Sequence, residues 1–173
     1  MASVFDTIKT RAGDTTKSAT WYRTQVNKIA SNTTAGQLFR QGKLNRRPSV
    51  GRLNLFGYNP KYRKTLPYYD VFPLVLPLEP ISGGFMGMNF HYLPPLLRFR
   101  LLERMQATAT DSRFDDKTKF NVNYDDVKNI KIVKPTIKKY LYSYVQTGFF
   151  RVNADEAADA IYLPVKRIKN ATE

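Results

Sequence analysis

The sequence predicts an α+β protein: a compact, mostly antiparallel β domain with two or three packed helices, preceded by an extended basic N-terminal arm that carries short helices. Three observations predict it. Several short stretches after residue 52 alternate apolar and polar side chains, the two-residue period of half-buried strands. Residues 4–12, 18–31 and 95–105 instead space their apolar side chains three and four apart, the period of a helix. Charge is also divided. Residues 1–65 hold 13 Lys and Arg against Asp6 and Asp14, a net of +11, whereas residues 66–173 hold 15 against 12, a net of +3. The arm is therefore assigned to residues 1–52 and the α+β domain to residues 53–173. Barrel-like closure is one form such a sheet can take.

Taken in order, Ser3 stands as an N-cap before a helix with Val4, Phe5, Ile8 and Ala12 near one face, and Asp6 lies in its first turn, where the helix dipole favours an acid. Gly13-Asp14 interrupts it. A second helix spans about residues 18–31, with Tyr22, Val26 and Ile29 as its stripe and Trp21 beside it. Both stripes are narrow, so each helix needs a partner surface. Residues 31–51 are polar and turn-rich, with a short helix expected at Gln37–Gln41. Leu53 and Leu55 alternate, and Asn59-Pro60 turns the chain.

From Val71 to Glu79 the alternation of Phe72, Leu74, Leu76 and Leu78 predicts a strand. Pro73 and Pro77 cannot donate to a ladder, which makes it an edge strand or an extended cover segment. Ile81-Ser82-Gly83-Gly84 turns into a second strand marked by Met86, Met88, Phe90 and Tyr92, where Gly87 allows a close backbone approach. Pro94-Pro95 suits the first turn of a helix whose stripe is Leu97, Leu101 and Met105, widened by Phe99 and Leu102. Residues 110–119 read as a charged loop. Strands are then expected at Phe120–Tyr124 and Ile130–Ile132, a helix from Thr136 to about Gln146, and strands at Phe149–Val152 and Ile161–Val165, the last two separated by the acidic turn Asp155–Asp159.

Composition excludes much chemistry. With no Cys, disulfide frameworks, thiolate zinc sites and cysteine nucleophiles are absent. No apolar run approaches the ~18–20 residues of a membrane span and the N-terminus lacks a signal-peptide core, which predicts a soluble, unexported protein with no membrane insertion. His91 is the single histidine, so histidine-pair metal sites are excluded, and a structural or surface role is expected over a lone general base. The acids Asp111, Asp115-Asp116, Asp125-Asp126 and Asp155-Glu156-Asp159 read as solvated loops and helix caps, because adjacent side chains on extended backbone point apart rather than converge on metals. There is no phosphate-binding glycine loop and no nucleophile elbow; Gly83-Gly84-Phe85-Met86-Gly87 is followed by no helix. Neither an enzyme nor a cofactor or metal site is expected.

What remains is a run of bases without an acid between Asp14 and Asp70. Lys17, Arg23, Lys28, Arg40, Lys43, Arg46, Arg47, Arg52, Lys61, Arg63 and Lys64 are the candidate polyanion- or partner-binding residues, interleaved with Trp21, Tyr22, Phe39, Tyr58 and Tyr62, which could stack bases. Val4, Phe5, Ile8, Trp21, Tyr22, Val26 and Ile29 are the candidates for docking on a partner. Equally, these charges could solvate an arm that wraps a neighbouring subunit.

Leu66-Pro67-Tyr68-Tyr69-Asp70-Val71-Phe72-Pro73-Leu74-Val75, then Gly84-Phe85-Met86-Gly87-Met88-Asn89-Phe90-His91-Tyr92-Leu93-Pro94-Pro95, resembles a small virion or packaging protein family of contractile-tailed bacteriophages, the DNA end protector proteins. Lys134-Pro135, Lys138-Lys139-Tyr140-Leu141 and Ala160-Ile161-Tyr162-Leu163-Pro164 extend the likeness, which runs over residues 58–165, about 60% of the chain. The resemblance implies a virion or packaging component, made in the host cytoplasm and carried in the particle, and brings no catalytic residue.

Three functions follow in order. The first is a structural component of a baseplate, tail or neck, whose arm clamps neighbouring virion proteins in a symmetric assembly. The second is a DNA-binding protein that guards genome ends or acts in packaging. The third, a nuclease, has only the acidic turns behind it.

Overall fold

Helix ends and one apolar face shape each element of the arm. α1 (Val4–Ala12) stops where Gly13 takes a φ of 63°, a left-handed conformation that costs glycine little. α2 (Ala19–Ala30) is capped by Ser18, whose Oγ accepts the Trp21 N–H at 3.1 Å. α3 (Ala35–Gln41) begins at a reciprocal cap: Thr34 Oγ1 accepts the Gln37 N–H at 3.2 Å and Gln37 Oε1 accepts the Thr34 N–H at 2.7 Å. The computed structural model describes residues 4–13, 17–30, 34–111 and 117–170. Ser3, Asp14, Asp115 and Asp116, and the side chains of Val4 and Asp6, lie outside the described residues.

Among the described residues, six antiparallel strands form one sheet: β1 (Leu44–Asn45), β2 (Leu53–Leu55), β4 (Leu74–Ile81), β5 (Gly84–Asn89), β6 (Ile137–Leu141) and β7 (Phe149–Val152), in the order β1-β7-β2-β4-β5-β6. β1 and β6 are its two edges, so the sheet is open and not a barrel. β3 (Tyr69–Asp70) and β8 (Ile168–Lys169) make a separate two-stranded pair. The β4–β5 hairpin turns at Ser82-Gly83, with Gly83 at φ 73°. α4 (Pro95–Gln106), with Pro95 as its first residue, follows β5; the short helices α5 (Tyr124–Val127) and α6 (Ala157–Ala160) complete the elements.

The pleat sorts the strand residues onto two faces. Leu53, Leu55, Leu74, Leu76, Met88 and Val152 face the main core, which also takes Phe5 and Ile8 from α1, Val26 from α2, Leu38 from α3 and Leu102 from α4. The other face carries a smaller aromatic cluster: Phe56, Tyr58, Val75, Phe85, Tyr140 and Phe149. Phe56 is its centre, fully buried with ring centroids 4.8 Å from Phe149 and 5.4 Å from Tyr140. Gly87 makes room for it, since a Cβ there would collide with Val75 Cγ1.

Several expected elements differ. β4 is interior at its start, not an edge: Leu74 and Val75 pair with Leu55 and Asn54. That ladder ends at Val75, so Pro77 and Pro80 fall where β4 has only β5 beside it. Thr136–Gln146 is not a helix. Residues 137–141 form β6 and 142–144 a single 3-10 turn, because the free edge of β5 supplies backbone partners and Tyr140 completes the aromatic cluster. Phe120 forms only an isolated bridge to Ala109, Asn123 caps α5 instead of extending a strand, and Ile130 and Ile132 lie exposed in turns. Ile161–Val165 is a buried turn after α6. α4 turns Arg98, Leu102 and Met105 inward and leaves Leu97 and Leu101 half-buried.

Candidate nucleic-acid interface

Beneath the segment from Tyr68 to Phe72 lies a buried polar knot. Asp70 Oδ2 accepts from Asn89 Nδ2 at 3.0 Å and from His91 Nδ1 at 2.7 Å, while Oδ1 accepts the Phe72 N–H at 2.9 Å. The Tyr92 hydroxyl accepts the Asp70 N–H at 3.0 Å. Burial alone would raise the Asp70 carboxyl, but the hydrogen bond and charge of His91, with the Asn89 and Phe72 donors, outweigh it and hold the carboxyl below its usual value. Burial holds the His91 ring below its usual value too, against the pull of Asp70. The two side chains are therefore held as a buried hydrogen-bonded pair, His91 Nδ1 against Asp70 Oδ2. Arg98 closes the knot from α4, donating to the carbonyls of Leu93 and Ile161 at 2.7 Å each and of His91 at 3.3 Å. His91 is thus structural, fixing the strand–turn geometry above it.

That geometry shapes an open cleft of about 290 Å³ between residues 58–70 and β6. Six tyrosines line it: Tyr58, Tyr62, Tyr68, Tyr69, Tyr92 and Tyr140. Lys61, Lys138 and Lys139 stand at its walls, and its one lining acid, Asp70, is buried. Tyr62 and Tyr68 are exposed, whereas the Tyr58 hydroxyl is committed to the Leu141 N–H at 3.0 Å. The Lys138 ammonium lies 5.5 Å from the Tyr68 ring centroid and 5.3 Å from that of Tyr92.

The structure brings part of the sequence-derived basic set to the segment that follows β6, and Lys61 of that set also lines the cleft. Arg46 and Arg47 follow β1 at an exposed turn, and the Arg47 guanidinium lies 5.2 Å from the ring centroid of Tyr142, directly after β6. Lys61, Arg63 and Lys64 lie on the exposed turn 61–65, anchored where the Asn59 N–H donates to the Tyr144 carbonyl at 3.0 Å. Among the described residues, no carboxylate pairs with these five bases. Arg23 and Lys28 instead project from α2, with Arg23 beside Pro95 and Tyr162. The Lys17 ammonium covers the Trp21 ring at 5.7 Å, Arg40 and Lys43 are exposed near α3, and Arg52 is half-buried at the start of β2.

The residues expected to dock on a partner meet the chain's own core. Phe5, Ile8 and Val26 are buried, and Trp21, Tyr22 and Ile29 are half-buried against the same cluster, with Phe5 6.3 Å from Phe150 and Tyr22 6.4 Å from Phe99 between ring centroids. Among the described acids, Asp126 accepts the Asn123 N–H and Glu156 the Asn153 N–H as caps, while Asp111, Asp125 and Asp155 take Thr118, Lys128 and Lys9 as partners. Asp159 is the exception, buried under α2. Among the described residues, no group of three His, Asp or Glu could hold a metal ion.

A family model described as phage T4 terminal DNA protecting protein matches residues 3–172. The chain belongs to that family. Neither a curated protein nor a solved structure matches it. The family match begins at residue 3 and so takes in most of residues 1–52 as well as residues 58–165. In this member, sequence reasoning missed Lys138 and Lys139. No local alternation marks them; Lys138 shares the side of Tyr140 only because Ile137–Leu141 is a strand, two residues apart along its pleat.

Proposed function

We propose that this protein binds the ends of linear phage DNA and shields them from nucleases, with the basic turn residues that meet the segment after β6 as its phosphate-contacting face. Membership of a terminal DNA protecting family over nearly the whole chain carries this reading. Arg46, Arg47, Lys61, Arg63 and Lys64 support it: five exposed bases on two turns that meet the same segment after β6, with no carboxylate among them to compete for phosphate. The order of the two leading functions is thereby reversed, with end protection ahead of a tail or baseplate clamp. Protection of this kind is steric and electrostatic. An occluded terminus denies an exonuclease its starting point, and no bond need be made or broken.

One observation favours an additional protein neighbour in the particle. An apolar groove runs between α4 and residues 130–133, with Ile132 exposed at 58%.

The test is exonuclease digestion of a linear duplex at about 50 mM salt, where phosphate contacts are strong. Full-length linear DNA is expected to survive with the protein and to be degraded without it, while endonuclease cutting at internal sites continues. Unchanged exonuclease digestion at saturating protein overturns the reading.

A further inference from the structure

We propose that the cleft between residues 58–70 and β6 holds a single unpaired nucleotide: its base against the exposed rings of Tyr62 and Tyr68, and its phosphate on Lys138. The inference rests on the end-binding reading and adds which part of the end is gripped, and where.

Four features of the cleft point to this ligand. Its volume of about 290 Å³ lies at the lower limit of small-molecule sites, which admits one flat heterocycle and not a base pair. Its lining offers aromatic faces instead of an aliphatic pocket, and every nucleobase has a π-face to stack on them. Tyr62 and Tyr68 are 63% and 40% exposed, so their rings are available without unfolding anything. Lys138 is half-buried, and among the described residues its only close partners are two aromatic rings. Burial lowers its pKa with no carboxylate to raise it again, the condition of an ammonium that lacks a counter-ion. A phosphate supplies one.

The rim extends the same logic. Lys61 beside Tyr62 and the exposed Lys139 could meet the next phosphates along the strand. A base enters such a cleft only when it has left its pair, which costs least at a terminus. The cleft therefore distinguishes an end from the interior of a duplex, something that surface bases alone do not do. A free mononucleotide presents the same base and phosphate, but lacks the neighbouring phosphates for the rim.

The experiment uses the full chain and duplexes bearing 5-iodo-deoxyuridine at the terminal or at a central position, irradiated and analysed by mass spectrometry of crosslinked peptides. Exonuclease protection is measured in parallel. The terminal label is expected to crosslink to peptides containing Tyr62, Tyr68 or Tyr92, and the central label not to. Free 5-iodo-deoxyuridine monophosphate at the same concentration is expected to crosslink at least about tenfold less, since it makes none of the rim contacts. The Tyr68→Ala and Lys138→Met variants are expected to lower the terminal crosslink about tenfold each, with binding to covalently closed circular DNA unchanged within about twofold because the turn bases remain.

Protected ends with a terminal label that crosslinks elsewhere overturn the cleft assignment and leave end protection standing. Equal crosslinking of the central label or of the free nucleotide also overturns it. Loss of both crosslinking and protection overturns the functional reading itself.

Discussion

Asp159 is the residue through which pH acts most directly on the docking of the arm. It lies in α6, which packs on α2, and it is buried with Glu156 and Asp155 nearby and Lys9 of α1 bridging to Asp155 at 2.5 Å. Burial first, and then the Glu156 charge, push its carboxyl up to about 7 against the 3.8 of an unfolded chain, with Asp155 adding to the rise and Lys9 opposing it. Between these two values the folded protein holds a proton that the unfolded chain has released, so stability falls as pH rises through the window and levels off above it. At about 1.4 kcal/mol per unit, the rise is worth on the order of 4 kcal/mol. Asp159→Asn removes the titration while keeping the shape. Urea denaturation from pH 4.5 to 8.5 should show the variant close to the wild type at the acid end and more stable by a few kcal/mol at pH 8. Taking the difference between the two proteins cancels the other carboxylates. A difference that does not change with pH would refute the placement of Asp159 beneath α2.

Three other perturbations follow from the packing and the charged face. Gly87→Ala drives a methyl group into Val75 in the aromatic cluster and should cost about 1–3 kcal/mol, seen as a lowered midpoint in thermal or urea unfolding. Arg98→Met leaves the Leu93, His91 and Ile161 carbonyls without their buried donor and should cost about 3 kcal/mol or more by the same assay. Arg46→Ala with Arg47→Ala should leave the fold intact, weaken DNA binding across all sequences, and reduce the slope of log affinity against log salt by about 2 in a titration series.

The fold was legible where a local signal and the tertiary environment agree. Gly83 sits at the hairpin turn, Pro95 opens α4, and Leu74, Leu76 and Met88 face the core, each as its spacing implies. It was illegible where the local period and the tertiary environment disagree. Ile137, Tyr140, Leu141 and Tyr144 are spaced three and four apart and suit a helix face, Ile137 to Leu141 show no two-residue alternation, and only the vacant edge of β5, some fifty residues away in sequence, makes them a strand. That conflict hid Lys138 and with it the cleft. The narrow stripes of α1 and α2 leave open whose surface they cover. Here Phe5 meets Phe150, a contact between opposite ends of the chain. The basic run was visible as composition. Its division into the turns that meet the segment after β6 and the outward face of α2 was not, because it depends on Arg47 reaching Tyr142 and on Asn59 binding Tyr144.

The central claim is that this molecule recognises a DNA end and not DNA at large. The most direct measurement compares its affinity for one duplex in two forms, open-ended and closed by hairpin caps at both termini, at about 50 mM salt. The open form should bind at least about tenfold tighter, the gain expected when one extra base stacks. Equal affinity for the two forms would contradict the account.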